Sequence, residues 1–249
     1  MSRQFDKLGL AFERIPAIDS RSLAPAALKQ HATNRFDGHE WGSSEIGCFL
    51  SHRQCWRSIA EGPDAYGAVF EDDVELDPEV RPLLLTDAWI PAGADIVKLE
   101  ASTMESYQGA RQNIRVKHRF YRSALPWEGA AAYVISKELA TRIAAIDVFD
   151  CVVDQFLFDS NRDGHDFRSL EVRPGICLQT RHKPDRLLEL ESTIALDRVV
   201  LERPVPKIKR SVAIRALREL MRPFRRTKAR LVRMYRTWKA TPLDIPHQP

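Results

Sequence analysis

The pattern of apolar and polar positions predicts alternating helices and strands along most of the chain. The clearest helix covers residues 44–61, where apolar residues recur at helical spacing until Gly62 and Pro63 end the pattern. Ser136 is a capping residue that predicts the start of a helix running to about residue 146. Shorter helices are predicted over residues 22–32 and 152–159. Residues 10–19 are predicted to form a short strand that leads into a loop, and further strands are predicted over residues 66–71, 94–99, 114–121, 131–135, 167–172 and 176–179. This alternation favours an α/β fold with a mostly parallel sheet covered by helices.

The chain changes character after residue 203. Pro204 and Pro206 mark a boundary, and beyond it apolar residues recur at helical spacing among arginines. Residues 207–240 contain thirteen Lys or Arg and one Glu. Because the whole chain carries +4 and Asp244 adds one negative charge, residues 1–206 carry −7. We therefore expect an acidic domain over residues 1–203 and a basic amphipathic helical tail over residues 204–249.

A tail that is apolar on one side and arginine-rich on the other is typical of an anchor at an anionic membrane surface. A solvated charged helix and a nucleic-acid-binding tail are the alternatives, and of these a nucleic-acid partner is not expected. The sequence shows no run of eighteen apolar residues and no secretory signal pattern at its start. We expect a cytoplasmic protein that is peripheral on the inner face of the cell membrane.

Two polar residues lie in the middle of the apolar face of the first long helix. Glu45 and His52 are seven residues apart, which places them within roughly 20° of each other on a helix. Buried groups of this kind need partners. They are either a satisfied core pair or side chains that point into a ligand cleft. The four cysteines, including Cys48 and Cys55 on the same helix, match no zinc or redox spacing.

Three adjacent carboxylates, Glu71, Asp72 and Asp73, follow the predicted strand 66–71. Their mutual repulsion is relieved either by water at a surface turn or by a cation in a cleft. Ligands of open α/β sheets bind at the carboxyl ends of strands, and Mg²⁺ or Mn²⁺ prefers one or two carboxylates together with substrate phosphates. Glu71 and Asp73, as an acid-x-acid pair, can present both groups to one side.

These segments together resemble glycosyltransferase family 25, the lipooligosaccharide galactosyltransferases and their relatives. The similarity is carried by EIGCFLSHRQCW and VFEDDVEL, and then in order by ADIVKLE, AAYVISKELATRI, VVDQFLF, CLQT and ESTI. It extends from residue 10 to about residue 196. The family usually opens with an apolar strand, which we expect to be missing here because the chain starts at MSRQFDKLGL.

The resemblance implies a GT-A-like nucleotide-sugar transferase that moves a hexose, most often galactose, from a UDP-sugar with inversion. The acceptor would be a lipooligosaccharide or another lipid-linked glycan. Glu71 and Asp73 would hold Mn²⁺ or Mg²⁺, with His182 as a further ligand or simply an exposed histidine. The implied donor-binding residues are Glu45, His52, Glu71, Asp72, Gln179 and Ser192.

An inverting transfer needs a base beside the acceptor hydroxyl. Asp154, in VVDQFLF, is the first candidate, although a carboxylate at this place also suits a helix N-terminus. Glu128, in PWEGAAAY, is the second candidate, and its neighbour Trp127 either stacks on a sugar or packs in the core.

Two rival functions use the same features. A non-catalytic, N-terminally truncated remnant would bind membrane or nucleic acid through its basic tail. A metal-dependent phosphoesterase would use the same carboxylates, but no histidine–aspartate cluster accompanies them in the sequence.

Overall fold

The structure, a computed structural model, describes residues 1–35, 38–101, 119–122, 129–159, 162, 164–180 and 242–243. The helices are α1 Ser2–Leu8, α2 Pro25–Lys29, α3 Ser43–Glu61, α4 Val80–Leu84, α5 Lys137–Ala144 and α6 Val153–Phe158, with a 3-10 turn over Ser20–Ser22. The strands are β1 Tyr66–Phe70, β2 Val74–Leu76, β3 Ile96–Lys98, β4 Arg119–Arg122, β5 Ala132–Ser136, β6 Ser169–Arg173, β7 Cys177–Gln179 and β8 Pro242–Leu243. No helix among these residues is long and apolar enough to span a bilayer.

Six of the strands form one mixed sheet in the order β1-β5-β3-β6-β4-β8, and β2 pairs with β7 in a separate ribbon. Within the described sheet only β3 and β6 run parallel, while the other four pairings are antiparallel. The prediction of a mostly parallel sheet is therefore wrong. Alternating helices and strands suggested a chain of parallel crossovers, but β5 inserts between β1 and β3 in the opposite direction, and hydrophobic alternation does not encode strand direction.

The sheet is buried on both faces. Along β5, Tyr133 and Ile135 pack in the core beneath α3, α5 and α6. Ala132 and Val134 point to the other face, where α1, α4 and the β2–β7 ribbon cover the sheet. The near-continuous apolar run of β5 is what burial on both faces requires.

The structure confirms the main predicted elements. The helix predicted over residues 44–61 is α3, and the strands predicted over residues 66–71, 94–99 and 131–135 are β1, β3 and β5. Ser136 caps α5 as expected, because its hydroxyl accepts a hydrogen bond from the Leu139 N–H at 3.1 Å. The predicted basic tail lies outside the described residues apart from Pro242–Leu243, which pair with β4.

The strand predicted over residues 10–19 does not form. This segment instead runs along α3, where the Ile18 N–H donates to the Ser51 hydroxyl at 2.9 Å. The approach is close because residue 47 is a glycine: a Cβ there would lie 2.9 Å from the Ile18 carbonyl oxygen. Hydrogen bonding to a helix side chain therefore replaces the strand partner that the apolar pattern suggested.

Candidate active site

The ends of several elements meet at one edge of the sheet. The Glu71 N–H, just after β1, donates to the Ala131 carbonyl just before β5 at 2.8 Å. Beside them β3 ends at Lys98, and its continuation pairs with β7, since the Ala101 N–H donates to the Cys177 carbonyl at 2.7 Å. This edge therefore collects the acidic segment, the start of β5 and the end of β7.

Gln179 brings two of the three predicted carboxylates together. Its Nε2 donates to Glu71 Oε2 at 3.1 Å and lies 3.3 Å from both carboxylate oxygens of Asp73. The register explains the contact, because Gln179 at the end of β7 pairs with Val74 directly after the acidic segment. The Gln179 side chain is buried, and its Oε1 has no hydrogen-bond partner among the described residues. Asp72 between the two carboxylates is exposed.

His52 reaches the same carboxylate from helix α3. Its Nε2 lies 3.2 Å from Glu71 Oε1, and its Nδ1 lies 2.8 Å from the Tyr133 hydroxyl. His52 therefore has partners in the core, and it also contacts a carboxylate of the acidic segment, while its donor-binding role stays a prediction. The His52 side chain is 5% exposed and the Glu71 side chain is 31% exposed.

The hydrogen bonds around Tyr133 determine which nitrogen of His52 carries the proton. The Trp56 Nε1–H can only donate, and it donates to the Tyr133 oxygen at 2.8 Å. Burial raises the pKa of Tyr133 well above its ordinary value, so the hydroxyl keeps its proton. That proton is directed at His52 Nδ1, so Nδ1 accepts and the Nε2–H donates to Glu71. The chain Trp56–Tyr133–His52 thus orients the Glu71 carboxylate.

Cys48 lies on α3 one helical turn before His52. Burial raises the pKa of its thiol well above the ordinary value, and the charges of Glu71, Asp154, Glu45 and Asp73 raise it further. Negative charge therefore predominates around this thiol.

Asp154 lies at the N-terminal end of α6 and accepts two backbone hydrogen bonds. Its Oδ1 accepts from the Gln155 N–H at 2.8 Å and its Oδ2 from the Gly129 N–H at 3.1 Å. The first contact matches the helix-terminus alternative. The second ties Asp154 to the segment that leads into β5, so the carboxylate lies at the site edge. Its role as the base stays a prediction.

A buried ion pair supports that segment from β3. Lys98 Nζ donates to the Gly129 carbonyl at 2.6 Å, and Glu100 Oε2 accepts from the Ala131 N–H at 3.0 Å. Lys98 and Glu100 are 0% and 1% exposed, with 3.7 Å between Nζ and Oε2. Gly129 has a φ of +88°, and a Cβ there would lie 2.6 Å from Glu100 Oε1, so only glycine fits. Lys98 and Glu100 therefore fix the position of the backbone at Gly129, whose N–H donates to Asp154.

Glu45 has a structural contact in addition to any role in binding. Its Oε2 accepts from the Gly42 N–H at 3.0 Å and pairs with Arg35 Nη1 at 2.8 Å, and the residue is 4% exposed. These contacts cap the N-terminus of α3. The predicted donor-binding role of Glu45 stays a prediction. The predicted residues Glu128, Ser192 and His182 lie outside the described residues.

Sequence reasoning missed Tyr133, Trp56, Lys98 and Glu100. A lysine inside the apolar run IVKL signals a buried charge with a partner, and that signal was available in the sequence. Tyr133 and Trp56 looked like ordinary core residues. The hydrogen bonds that join Trp56 to Tyr133 and Tyr133 to His52 depend on the packing of α3 against β5, which is a tertiary feature.

The side-chain oxygens of this site suit a hard divalent cation as ligands. Glu71 and Asp73 present carboxylate oxygens to the same point, where Gln179 Nε2 lies between them. Rotation of the Gln179 amide would turn its unpartnered Oε1 toward that point and add a third oxygen ligand. A cavity of about 460 Å³, lined by Thr33, Phe149 and Phe156 among others, lies elsewhere and includes none of these carboxylates.

The fold and the acidic edge agree with the similarity to known proteins. The model of glycosyltransferase family 25, described as LPS biosynthesis proteins, matches residues 1–157. This match covers more than half of the chain and includes α3, the acidic segment and β5. The chain belongs to glycosyltransferase family 25. The segments CLQT and ESTI lie beyond the matched residues.

Individual relatives support the same assignment. A Haemophilus influenzae protein with a provisional glycosyltransferase name is 27% identical over 72% of this chain and 64% of its own length. The lacto-N-neotetraose biosynthesis glycosyltransferase LgtE of Neisseria meningitidis serogroup B is 27% identical over 64% of this chain and 58% of its own. LgtB of Neisseria meningitidis serogroup A is 30% identical over 55% of this chain and 53% of its own. The chain thus spans less than two thirds of the length of these relatives.

Proposed function

We propose that this protein transfers a hexose, with galactose as the first candidate, from a UDP-sugar to a lipooligosaccharide or another lipid-linked glycan. The observation that carries the proposal is the group formed by Glu71, Asp73, Gln179 and His52 at one edge of the sheet. Membership of family 25 supports a transferase. The names of LgtE and LgtB support a glycan acceptor of the lacto-N-neotetraose type.

In this proposal Glu71 and Asp73 would hold Mn²⁺ or Mg²⁺, and the cation would supply positive charge that offsets the negative charge of the departing UDP. His52 keeps the Glu71 carboxylate oriented through its Nε2–H, and Gln179 sets the separation of the two carboxylates. Asp72, which is exposed beside them, is proposed to contact the donor, as are Glu45 and Ser192.

The proposed chemical step is an inverting transfer. The acceptor oxygen forms a bond to the anomeric carbon while the bond from that carbon to the UDP oxygen breaks, and the configuration inverts. The acceptor proton goes to Asp154, or to Glu128 if Asp154 serves only its helix. The GT-A-like architecture belongs to this proposal as well.

Calorimetry of UDP binding to the full chain tests the proposal. We expect binding heat that requires Mn²⁺ and that disappears in Asp73→Ala. The matched control is Asp64→Ala, which removes an exposed carboxylate at the opposite end of β1 and should bind UDP as the parent does. Equal heats with and without Mn²⁺, and in all three proteins, would contradict a cation-assisted donor site. Turnover with a panel of UDP-hexoses then identifies the sugar.

The charge of the tail favours a second component of the function. Residues 207–240 carry thirteen positive side chains and one negative side chain, and each basic residue near an anionic surface contributes about 1 kcal/mol of attraction. We propose that the tail holds the protein at the inner face of the membrane, where lipid-linked acceptors lie. A remnant without catalysis would show this binding and no turnover.

A further inference from the structure

Three side chains of different chemistry meet beside the acidic segment. Cys48 and His52 lie four residues apart on α3, so both face the end of β1, where Glu71 follows. The Cys48 sulfur, an imidazole nitrogen of His52 and a Glu71 carboxylate oxygen all lie within 4.8 Å of one another. A Cys-x3-His pair on a helix presents two ligands to one point, and a residue from a neighbouring strand supplies the third.

The ligand atoms of this group differ from those of the proposed Mn²⁺ or Mg²⁺ site. Hard cations choose oxygen ligands, whereas a thiolate, an imidazole nitrogen and a carboxylate together suit a borderline-soft ion. We propose that Cys48, His52 and Glu71 form a second cation site that binds Zn²⁺ or a similar ion. Three protein ligands leave the fourth tetrahedral position open to water.

The geometry is close to what such an ion requires. Zinc bonds of about 2.0–2.3 Å place tetrahedral ligand atoms roughly 3.3–3.8 Å apart. His52 Nε2 and Glu71 Oε1 are already 3.2 Å apart. The widest separation in the group, at most 4.8 Å, has to close by about 1 Å. Rotation of the thiol or of the half-exposed carboxylate provides a movement of this size.

The surroundings of the ring also fit. A metal-bound histidine usually donates its other ring N–H to an oxygen, which fixes the ring. Here that oxygen is the Tyr133 hydroxyl, 2.8 Å from His52 Nδ1. When the ion takes the place of the Nε2 proton, the ring proton moves to Nδ1. The Tyr133 oxygen then accepts from both this Nδ1–H and the Trp56 Nε1–H, and its own hydroxyl proton turns away from the ring. The ring keeps its position.

The local charge favours a cation. Glu71 is itself a ligand, and Asp73 contacts the same Gln179 amide as Glu71. These carboxylates attract a divalent ion, which replaces the thiol proton as that proton passes to solvent. The proposed site shares Glu71 with the donor-side cation, so the two ions compete. The proposal of a zinc site does not depend on the proposed transferase activity.

Titration of the full chain with Co²⁺ tests the inference directly, because a thiolate bound to Co²⁺ gives a charge-transfer band in the near ultraviolet. We expect the band to saturate at one equivalent and to be displaced by Zn²⁺. Cys48→Ser should abolish the band. His52→Gln should weaken Co²⁺ binding by about a hundredfold or more, since loss of an outer-shell partner alone costs about 10–100-fold. The matched control is Cys55→Ser, a thiol two turns further along α3, which should keep the band.

Two further measurements separate this site from the donor site and from misfolding. Asp73→Ala should keep the cobalt band while it loses the Mn²⁺-dependent UDP heat. In the unmodified protein, Zn²⁺ should protect Cys48 from alkylation, as mapped by mass spectrometry, and leave the labelling of Cys55 unchanged. A missing charge-transfer band, a band that survives in Cys48→Ser, or unchanged alkylation of Cys48 would each overturn the inference.

Discussion

The hydrogen-bond chain behind Glu71 gives a stability prediction that the structure makes quantitative. Tyr133→Phe removes one hydroxyl and keeps the ring, which is stacked on His52 with 5.7 Å between ring centroids. Two groups then lose their partner: the Trp56 Nε1–H, on a residue that is 0% exposed, and Nδ1 of His52, which is 4% exposed. An unsatisfied buried polar group costs about 1–3 kcal/mol, so for the two groups we expect the free energy of unfolding to fall by about 2–6 kcal/mol. That is a large share of the ~5–15 kcal/mol that stabilises a typical protein.

Urea unfolding of the full chain, followed by fluorescence and circular dichroism, measures this loss. The matched control is Tyr66→Phe, which removes a hydroxyl with one long hydrogen bond of 3.4 Å to the Ala94 carbonyl. We expect that variant to lose about 1 kcal/mol or less. Affinity for UDP in the presence of Mn²⁺ should also fall in Tyr133→Phe and stay unchanged in the control, because only the first variant releases His52 and, through it, Glu71.

A double-mutant cycle isolates the Trp56–Tyr133 contact. Trp56→Phe removes the donor, so the double variant no longer contains an unsatisfied indole N–H. The free energies of unfolding lost in the two single variants should therefore add up to more than the loss in the double variant, by about 1 kcal/mol or more. If the coupling is zero, or if Tyr133→Phe is as stable as Tyr66→Phe, the hydroxyl is not shared in the way that the geometry indicates.

Three other predictions address the base, the pH dependence and the tail. Asp154→Asn should lower acceptor-dependent turnover by about a hundredfold or more while UDP binding is kept, because a base acts in the transition state; near-full turnover would transfer the role to Glu128. Burial raises the pKa of Glu171, against the opposite effects of Arg173 and Lys98, above its ordinary value of 4.5. The native state therefore binds the extra proton between 4.5 and the raised pKa, and stability falls as pH rises through that window. Glu171→Gln should flatten this part of the urea-midpoint profile, and an unchanged slope would assign the dependence to another group. Truncation after Pro206 should keep a cooperative thermal transition and lose affinity for anionic vesicles, whereas an insoluble product would show that the tail packs on the body.

The parts of the site that the sequence predicted are those that depend on strand ends. Glu71 and Asp73 follow a short apolar run that closes in three carboxylates, and Gln179 ends another such run, so their position at a strand terminus was readable. Helical periodicity placed His52 on the inner face of α3 but could not name Tyr133 as its partner, because that contact joins residues eighty-one positions apart. The direction of β5 could not be predicted from the sequence, for a related reason. Its apolar run is buried on both faces and has the same pattern whichever way the strand runs.

The antiparallel insertion of β5 gives the sheet two edges with different roles. At the acidic edge, β1 ends, β3 ends and β5 begins, and this edge carries the carboxylates of the proposed site. At the opposite edge the turns are tied tightly: the Ser136 N–H donates to the Asp95 carbonyl and the Lys137 N–H to the Ala65 carbonyl, both at 2.8 Å. Insertions in those turns should therefore shift the pairing of β1 and β3 with β5. The turns at the edge far from the carboxylates thus set the alignment on which the position of Glu71 depends.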